Sequence, residues 1–175
     1  MPRKKKTDQP IGVGVEVVDN FLEEDTFLEL QRTIISKHFP VFYQDDVSGI
    51  DNKSDTRVIN FTHNLYNLSN PSPFYDVVFE KLFSKYNIKK IIRAKVNCYP
   101  RTSRIVRHSF HADFDYSHKG ALFYLNTCNG LTKFKRGPGV KSIANRVLFF
   151  DPSVLHASTS CTNQRCRWNI QVNYF

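Results

Sequence analysis

The sequence predicts a mainly β fold of the α+β class, an antiparallel sandwich or barrel with helices on one outer face. Two observations predict it. Helical periodicity is confined to the first half of the chain, and from Lys90 onward the sequence breaks into short strand-like runs. Turn signals part those runs at Asn129-Gly130, Gly137-Pro138-Gly139 and Asp151-Pro152. Helices first and many short strands afterwards is the order of a sheet structure braced from outside.

The elements follow in chain order. Ile11 to Val18 reads as a strand, because Val13, Val15 and Val17 alternate with Gly14 and Glu16. Asn20 to Asp25 leads into a helix that runs to about Ser36, with Phe27, Leu28, Gln31, Ile34 and Ile35 on one mostly apolar face. Pro40 stops it. Gln44 to Asp55 is polar, contains Gly49, Asp45, Asp46, Asp51 and Asp55, and reads as a loop. A second helix starts at Ser72-Pro73, a capping residue followed by proline at the first helical position. Phe74, Tyr75, Val78, Phe79, Leu82, Phe83 and Tyr86 form its wide apolar stripe, which suits packing on a sheet.

Strands are expected over Ile91 to Cys98, Ile105 to Asp113, Ala121 to Asn126, Leu131 to Phe134, Val147 to Asp151, Val154 to Ser158 and Arg167 to Phe175. The last one alternates. Arg167, Asn169, Gln171 and Asn173 share one face, and Trp168, Ile170, Val172 and Tyr174 share the other. The polar face either meets water or lines a cavity. In a cavity, Arg167 is a buried cation that requires an anion.

The chain has 175 residues, enough for one domain with a substantial core. Residues 1–10 are expected to be a basic tail and residues 11–175 a single domain, with helical support over about 20–90 and the strand core over about 91–175. Fifteen Phe and eight Tyr argue against general disorder. Net charge is +9, and Arg3, Lys4, Lys5 and Lys6 carry four of those charges. That block is expected to be a solvated tail; non-specific attraction to nucleic acid is the alternative. No apolar run reaches membrane-spanning length and the N-terminus lacks a secretory pattern, so a cytoplasmic protein is expected. Cys98, Cys128, Cys161 and Cys166 form no C-x-x-C pair and are expected to stay reduced. Cys161 and Cys166 with His156 match no common zinc spacing.

The chemistry points to His111-Ala112-Asp113, followed by His156 and then Arg167. Two imidazoles and one carboxylate form the facial triad that holds non-heme Fe(II) and leaves coordination positions open. Side chains two apart on a strand share a face, about 6.6 Å apart along the backbone. They can converge on one ion at bond lengths near about 2.1 Å. His111 and Asp113 meet that condition if Ile105 to Asp113 is extended, and His156 would join from a neighbouring strand. Arg167 could clamp the far carboxylate of a 2-oxoglutarate co-substrate through two charge-assisted hydrogen bonds. His38, His63 and His118 are expected at the surface or locally bonded. His108 falls on the strand face opposite His111 and has Phe110, not a carboxylate, two residues on.

Over roughly Ile91 to Phe175 the sequence resembles the prolyl-hydroxylase-like family of iron- and 2-oxoglutarate-dependent oxygenases, with weaker agreement at Val17 to Leu22. The stretches that carry the resemblance are Asn97-Cys98-Tyr99-Pro100, His111-Ala112-Asp113, Ala121 to Asn126, Asn129 to Phe134, Arg146 to Asp151, His156 and Arg167 to Phe175. The resemblance implies a double-stranded β-helix, or jelly roll, braced by N-terminal helices. It implies iron held by His111, Asp113 and His156, and 2-oxoglutarate held by Tyr99, Tyr124 and Arg167. It further implies a dioxygenase that consumes O2, converts 2-oxoglutarate to succinate and CO2, and uses ascorbate as a reductant. The implied substrate is a protein side chain such as proline, or an amino acid. Two departures stand out. Asn129-Gly130 replaces the family's paired glycines, and His156 and Arg167 are slightly further apart, which leaves Arg165 as a competitor for the carboxylate. Arg167 is preferred because the whole following strand aligns with it.

Two other functions compete. An AlkB-type nucleic-acid dealkylase is favoured by the basic charge and Arg167-x-Asn169, but that family's second arginine is Asn173 here and no nucleotide lid precedes the strands. A non-catalytic jelly-roll binding module is disfavoured by an intact ligand set. Substrate would meet the loops Gln44 to Asp55 and Phe114 to Lys119, whose polar, acidic composition is compatible with a basic peptide.

Overall fold

Strand-forming residues dominate the second half of the chain, and in the computed structural model they assemble into two antiparallel sheets. The structure describes residues 14–44, 59–83 and 88–175. The basic tail, the start of the first expected strand, most of the Gln44 to Asp55 loop and Tyr86 lie outside the described residues. The elements are β1 (Glu16–Val18), α1 (Glu24–Ile34), β2 (Phe42–Gln44), β3 (Asn60–Asn67), β4 (Asn70–Pro71), α2 (Tyr75–Phe83), β5 (Ile91–Pro100), β6 (Lys119–Tyr124), β7 (Leu131–Phe134), β8 (Val140–Lys141), β9 (Arg146–Phe150), β10 (His156–Ser158) and β11 (Cys166–Tyr174). The large sheet runs β1-β9-β6-β11-β5-β3-β2, with β4 paired to β3; the small sheet runs β10-β7-β8.

Alternation on the central strands builds two cores. On β6 and β11, Ala121, Phe123, Ile170 and Val172 face α1 and α2, where Phe27, Leu30, Ile34, Val78 and Leu82 complete the outer core. Phe123 sits between Phe21 and Phe27, with ring centroids 6.0 Å from each. The opposite faces of β6 and β9, through Leu122, Tyr124, Leu148 and Phe150, meet Phe134 and Val140 of the small sheet. Two facing antiparallel sheets with helices outside agree with the expected jelly roll. No helix among the described residues is long and apolar enough to cross a membrane.

Local chemistry sets the helix ends. Glu24 and Asp25 lie in the first turn of α1 and Arg32 in its last, each complementing the helix dipole. The helix ends at Ile34 rather than Ser36, because Ile35 leaves the helical backbone (ψ 65) well before Pro40. The expected Ser72-Pro73 start is a turn leading into α2: Ser72 O accepts from Tyr75 N at 3.0 Å and Ser72 Oγ from Phe74 N at 3.3 Å.

One expected strand is corrected. Ile105 to Asp113 is not a strand; it touches its neighbours through two isolated bridges, Arg107 to Thr159 and His111 to His156. Its backbone donors pair at uneven intervals: His108 N to Ser158 O, His111 N to His156 O and Asp113 N to Pro152 O, each 2.9 Å. A regular ladder repeats every second residue, so this segment cannot continue a sheet. Strands β2, β3, β4 and β8 were not expected from the sequence. Of these, β3 matters most, because it flanks β5 from Arg93 to Cys98.

Candidate active site

Strand β11 lies between β5 and β6 in the large sheet, and its polar face points inward. Arg167 and Asn173 are 0% exposed, Asn169 is 1% and Gln171 is 8%, which excludes the solvent reading of that face. Facing β11, the same alternation on β5 places Arg93, Lys95, Asn97 and Tyr99 in register with Asn173, Gln171, Asn169 and Arg167. Of these cross-strand pairs, Lys95, Asn97, Tyr99, Asn169 and Gln171 floor a cavity whose walls include His111, His156, Leu122, Thr132 and Phe150.

The triad residues come together at one end. One donor atom from each of His111, Asp113 and His156 lies within 4.8 Å of the others, the sole such group of three or more among the described residues. His111 and His156 are antiparallel bridge partners, and each backbone N–H donates to the other's carbonyl at 2.9 Å. Each ring is then turned by its own chain. His156 Nδ1 meets Val154 O at 2.9 Å and His111 Nδ1 meets Ser109 O at 3.3 Å. A carbonyl only accepts, so Nδ1 carries the proton and the Nε2 lone pair is left for a metal. Burial pushes both imidazoles below the ordinary histidine value, which favours the neutral, ligating form.

Asp113 is the most heavily held group of the three. Arg93 Nη2 is 3.1 Å from Oδ1, Asn173 Nδ2 donates to Oδ2 at 3.0 Å, and Gln171 Nε2 donates to the same oxygen. Burial alone would push this carboxyl up, but the Arg93 charge and its neighbours outweigh it and hold the group below the usual carboxylate value. Lys95 stands beside the triad on β5; burial pushes its ammonium down to about 8, so it remains cationic at neutral pH.

At the other end Arg167 is fully buried with no carboxylate partner among the described residues. Its guanidinium donates to Thr132 Oγ1 at 2.9 Å and to Thr159 O at 3.3 Å, and it lies over the rings of Tyr99 and Tyr124 at 5.5 and 5.6 Å. Its Nε has no hydrogen-bond partner among the described residues. A buried cation held by neutral groups alone lacks most of its compensation, and a bidentate carboxylate supplies it. Tyr124 donates to Thr132 Oγ1 at 2.8 Å, and burial pushes both tyrosine phenols up, keeping them neutral. Gly130 approaches Arg167 so closely that a Cβ there would lie 2.5 Å from Arg167 Cδ. The donor set suits iron, and the orphaned guanidinium suits a dicarboxylate.

Of the six residues singled out from the sequence, His111, His156 and Tyr99 line the cavity, Asp113 joins the two histidines, and Arg167 and Tyr124 pack behind Tyr99 and Thr132. Arg165 does neither; it is exposed in the turn before β11, where its carbonyl accepts from Arg101 N. His108 is buried rather than merely opposed, with Nδ1 2.7 Å from Ser158 Oγ and its ring 5.2 Å from Tyr99. His118 is buried and locally bonded through Tyr116 O and His38 is exposed, but His63 is buried and joins Pro40 O to Ser72 Oγ, segments distant along the chain. All four cysteines carry free thiols. Sequence reasoning missed Arg93 and Lys95. The signal was present as a polar residue at every second position from Arg93 to Tyr99.

No protein-family model matches the sequence, and no curated protein matches it. Solved structures do match the fold. A viral collagen prolyl hydroxylase from Paramecium Bursaria Chlorella virus-1, in complex with 2-oxoglutarate, is 15% identical at a TM-score of 0.59, covering 93% of this chain and 96% of that one. A prolyl hydroxylase from Trichoplax adhaerens, in complex with a hypoxia inducible factor oxygen degradation domain peptide fragment, is 16% identical at a TM-score of 0.54, covering 93% and 83%. HygX from Streptomyces hygroscopicus, with nickel and 2-oxoglutarate bound, is 10% identical at a TM-score of 0.61, covering 92% and 82%.

Proposed function

We propose that this chain, whose fold is that of the 2-oxoglutarate- and iron-dependent oxygenases, is itself such an enzyme. The observation that carries the reading is a two-histidine, one-carboxylate donor set at one end of the β5–β11 floor and, at the other, a buried arginine with no carboxylate partner among the described residues. His111, Asp113 and His156 would hold Fe(II), and Arg167, with Tyr99 and Tyr124 beside it, would hold the distal carboxylate of 2-oxoglutarate. When bound, iron supplies the redox chemistry by which O2 and 2-oxoglutarate give succinate, CO2 and a hydroxylated substrate.

The chain's own groups prepare that chemistry. The backbone carbonyls of Val154 and Ser109 fix the ligating tautomer of each histidine. Arg93, Gln171 and Asn173 keep Asp113 ionised and oriented. Tyr99 and Tyr124 close the sides of the arginine with apolar rings, which strengthens its hold on an anion by excluding water. As substrate we favour an amino-acid side chain in a peptide, or a free amino acid, because two of the matched structures are prolyl hydroxylases.

The test is direct. Protein supplied with Fe(II), ascorbate and 2-oxoglutarate in air should release succinate, and panels of peptides, amino acids and oligonucleotides should raise that rate only with the true substrate class. Asp113→Ala and His156→Ala should abolish release. Arg167→Ala should mainly raise the 2-oxoglutarate requirement, whereas Arg165→Ala should not. Unchanged turnover in Asp113→Ala would falsify the assignment.

A further inference from the structure

The charge balance of the cavity is incomplete even after Arg167 is counted. Arg93, Lys95 and Arg167 face a single carboxylate, Asp113, which leaves two positive charges without anions. Arg93 takes Asp113 Oδ1, while Gln171 and Asn173 take Oδ2. Lys95 gets neither oxygen, and no hydrogen bond or ion pair engages its ammonium among the described residues. Its side chain nonetheless lines the same cavity as His111 and His156. It sits on β5 opposite Gln171, two cross-strand pairs from the Tyr99–Arg167 pair. The two unpaired cations therefore stand at opposite ends of the floor, one beside the metal ligands and one at the base.

A cavity with a cation at each end matches a dianion with a carboxylate at each end. We propose that Lys95 is the second co-substrate anchor, and that its ammonium holds the carboxylate adjoining the keto group of a 2-oxo dicarboxylate while Arg167 holds the distal one. This rests on the proposed co-substrate and adds a residue and an end-to-end orientation to it. A lysine suits the metal end because three rotatable donors on a flexible stem adapt to a carboxylate held beside the metal ligands. The planar guanidinium suits the closed end, where its fork can take the distal carboxylate in two parallel bonds beside Tyr99 and Tyr124.

Ligand binding to the metal-free protein tests this without turnover. The probes are 2-oxoglutarate and 4-oxopentanoate, in which a methyl group replaces the keto-proximal carboxylate. Calorimetric affinities are measured for the unsubstituted chain, Lys95→Met, Lys95→Arg and Arg167→Met, with circular dichroism to check folding. Loss of one charge-assisted contact should weaken 2-oxoglutarate about tenfold or more in Lys95→Met. Binding of 4-oxopentanoate should stay the same in that variant. Lys95→Arg should recover most of the loss, and Arg167→Met should weaken both ligands. If Lys95→Met leaves 2-oxoglutarate affinity within about twofold, or weakens both probes alike, the Lys95 assignment is overturned while the co-substrate reading stands. If the unsubstituted chain binds neither probe, with or without Mn(II), both fall together.

Discussion

Gly130→Ala is the most economical perturbation of the candidate site, because it adds one methyl group and no charge. Gly130 does not adopt the left-handed backbone, so alanine is sterically allowed there and the effect comes from contact alone. The new Cβ would stand 2.5 Å from Arg167 Cδ, 3.0 Å from Ser160 O and 3.2 Å from Arg167 Nε. The first distance requires a shift. Arg167 is fully buried and tied to Thr132 and Thr159, so it cannot swing into solvent. Overpacking of this kind costs about 1–3 kcal/mol. For a domain of this size that lowers Tm by about 3–9 °C. A displaced guanidinium also loses alignment with its carboxylate, and losing one or two charge-assisted bonds should weaken 2-oxoglutarate binding about 10-fold to 100-fold. Differential scanning calorimetry reads the first effect, and titration of 2-oxoglutarate into the Mn(II)-loaded protein reads the second. Gly139→Ala is the control: its nearest side-chain atom is Lys133 Cδ at 3.3 Å, the middle of a flexible stem, and Tm should move by no more than about 2 °C. If Gly130→Ala matches the control in both measurements, the close packing of Gly130 on Arg167 is refuted.

Two further outcomes follow from the same structure. His111 and His156 have folded-state values below 6.5 because of burial, so the unfolded chain binds more protons in that window. Stability of the metal-free protein should therefore fall as pH drops below about 6.5; urea midpoints at pH 8, 6.5 and 5 measure it, and His156→Asn should flatten the slope. A flat profile in the unsubstituted chain would contradict the burial argument. Leu30 of α1 is 0% exposed in the outer core, so Leu30→Ala should cost about 2–5 kcal/mol in chemical denaturation while folded protein keeps its 2-oxoglutarate affinity. A loss below about 0.5 kcal/mol would show that α1 does not anchor the sheet.

The fold was legible where residue type and period agree. On β11 the strict alternation of Arg167, Asn169, Gln171 and Asn173 with Trp168, Ile170 and Val172 marks both faces, and the structure buries the polar face together with Ile170 and Val172, leaving Trp168 half-buried. Periodicity left the polar face open because a cavity wall and a wet surface have the same pattern. Strand β3 was not legible for a related reason. It buries Asn60 and His63 as well as Leu65, and a register shift between Asn64 and Tyr66 breaks its period. The segment Ile105 to Asp113 misled in the opposite way. Its residues favour extended backbone, but its partners lie at uneven heights, so it makes bridges and no ladder. The three donor residues were visible as types in an order. The grip of Arg93, Gln171 and Asn173 on Asp113 was not, because it joins strands that only the folded register sets side by side.

The reciprocal backbone bonds between His111 and His156 carry one last consequence. The two histidines share one antiparallel bridge and each Nδ1 meets a carbonyl of its own segment, so the polypeptide orients both imidazoles before any ion arrives. Swapping one divalent ion for another should therefore leave the polypeptide around the ligands as it is, and circular dichroism of the two loaded forms should coincide.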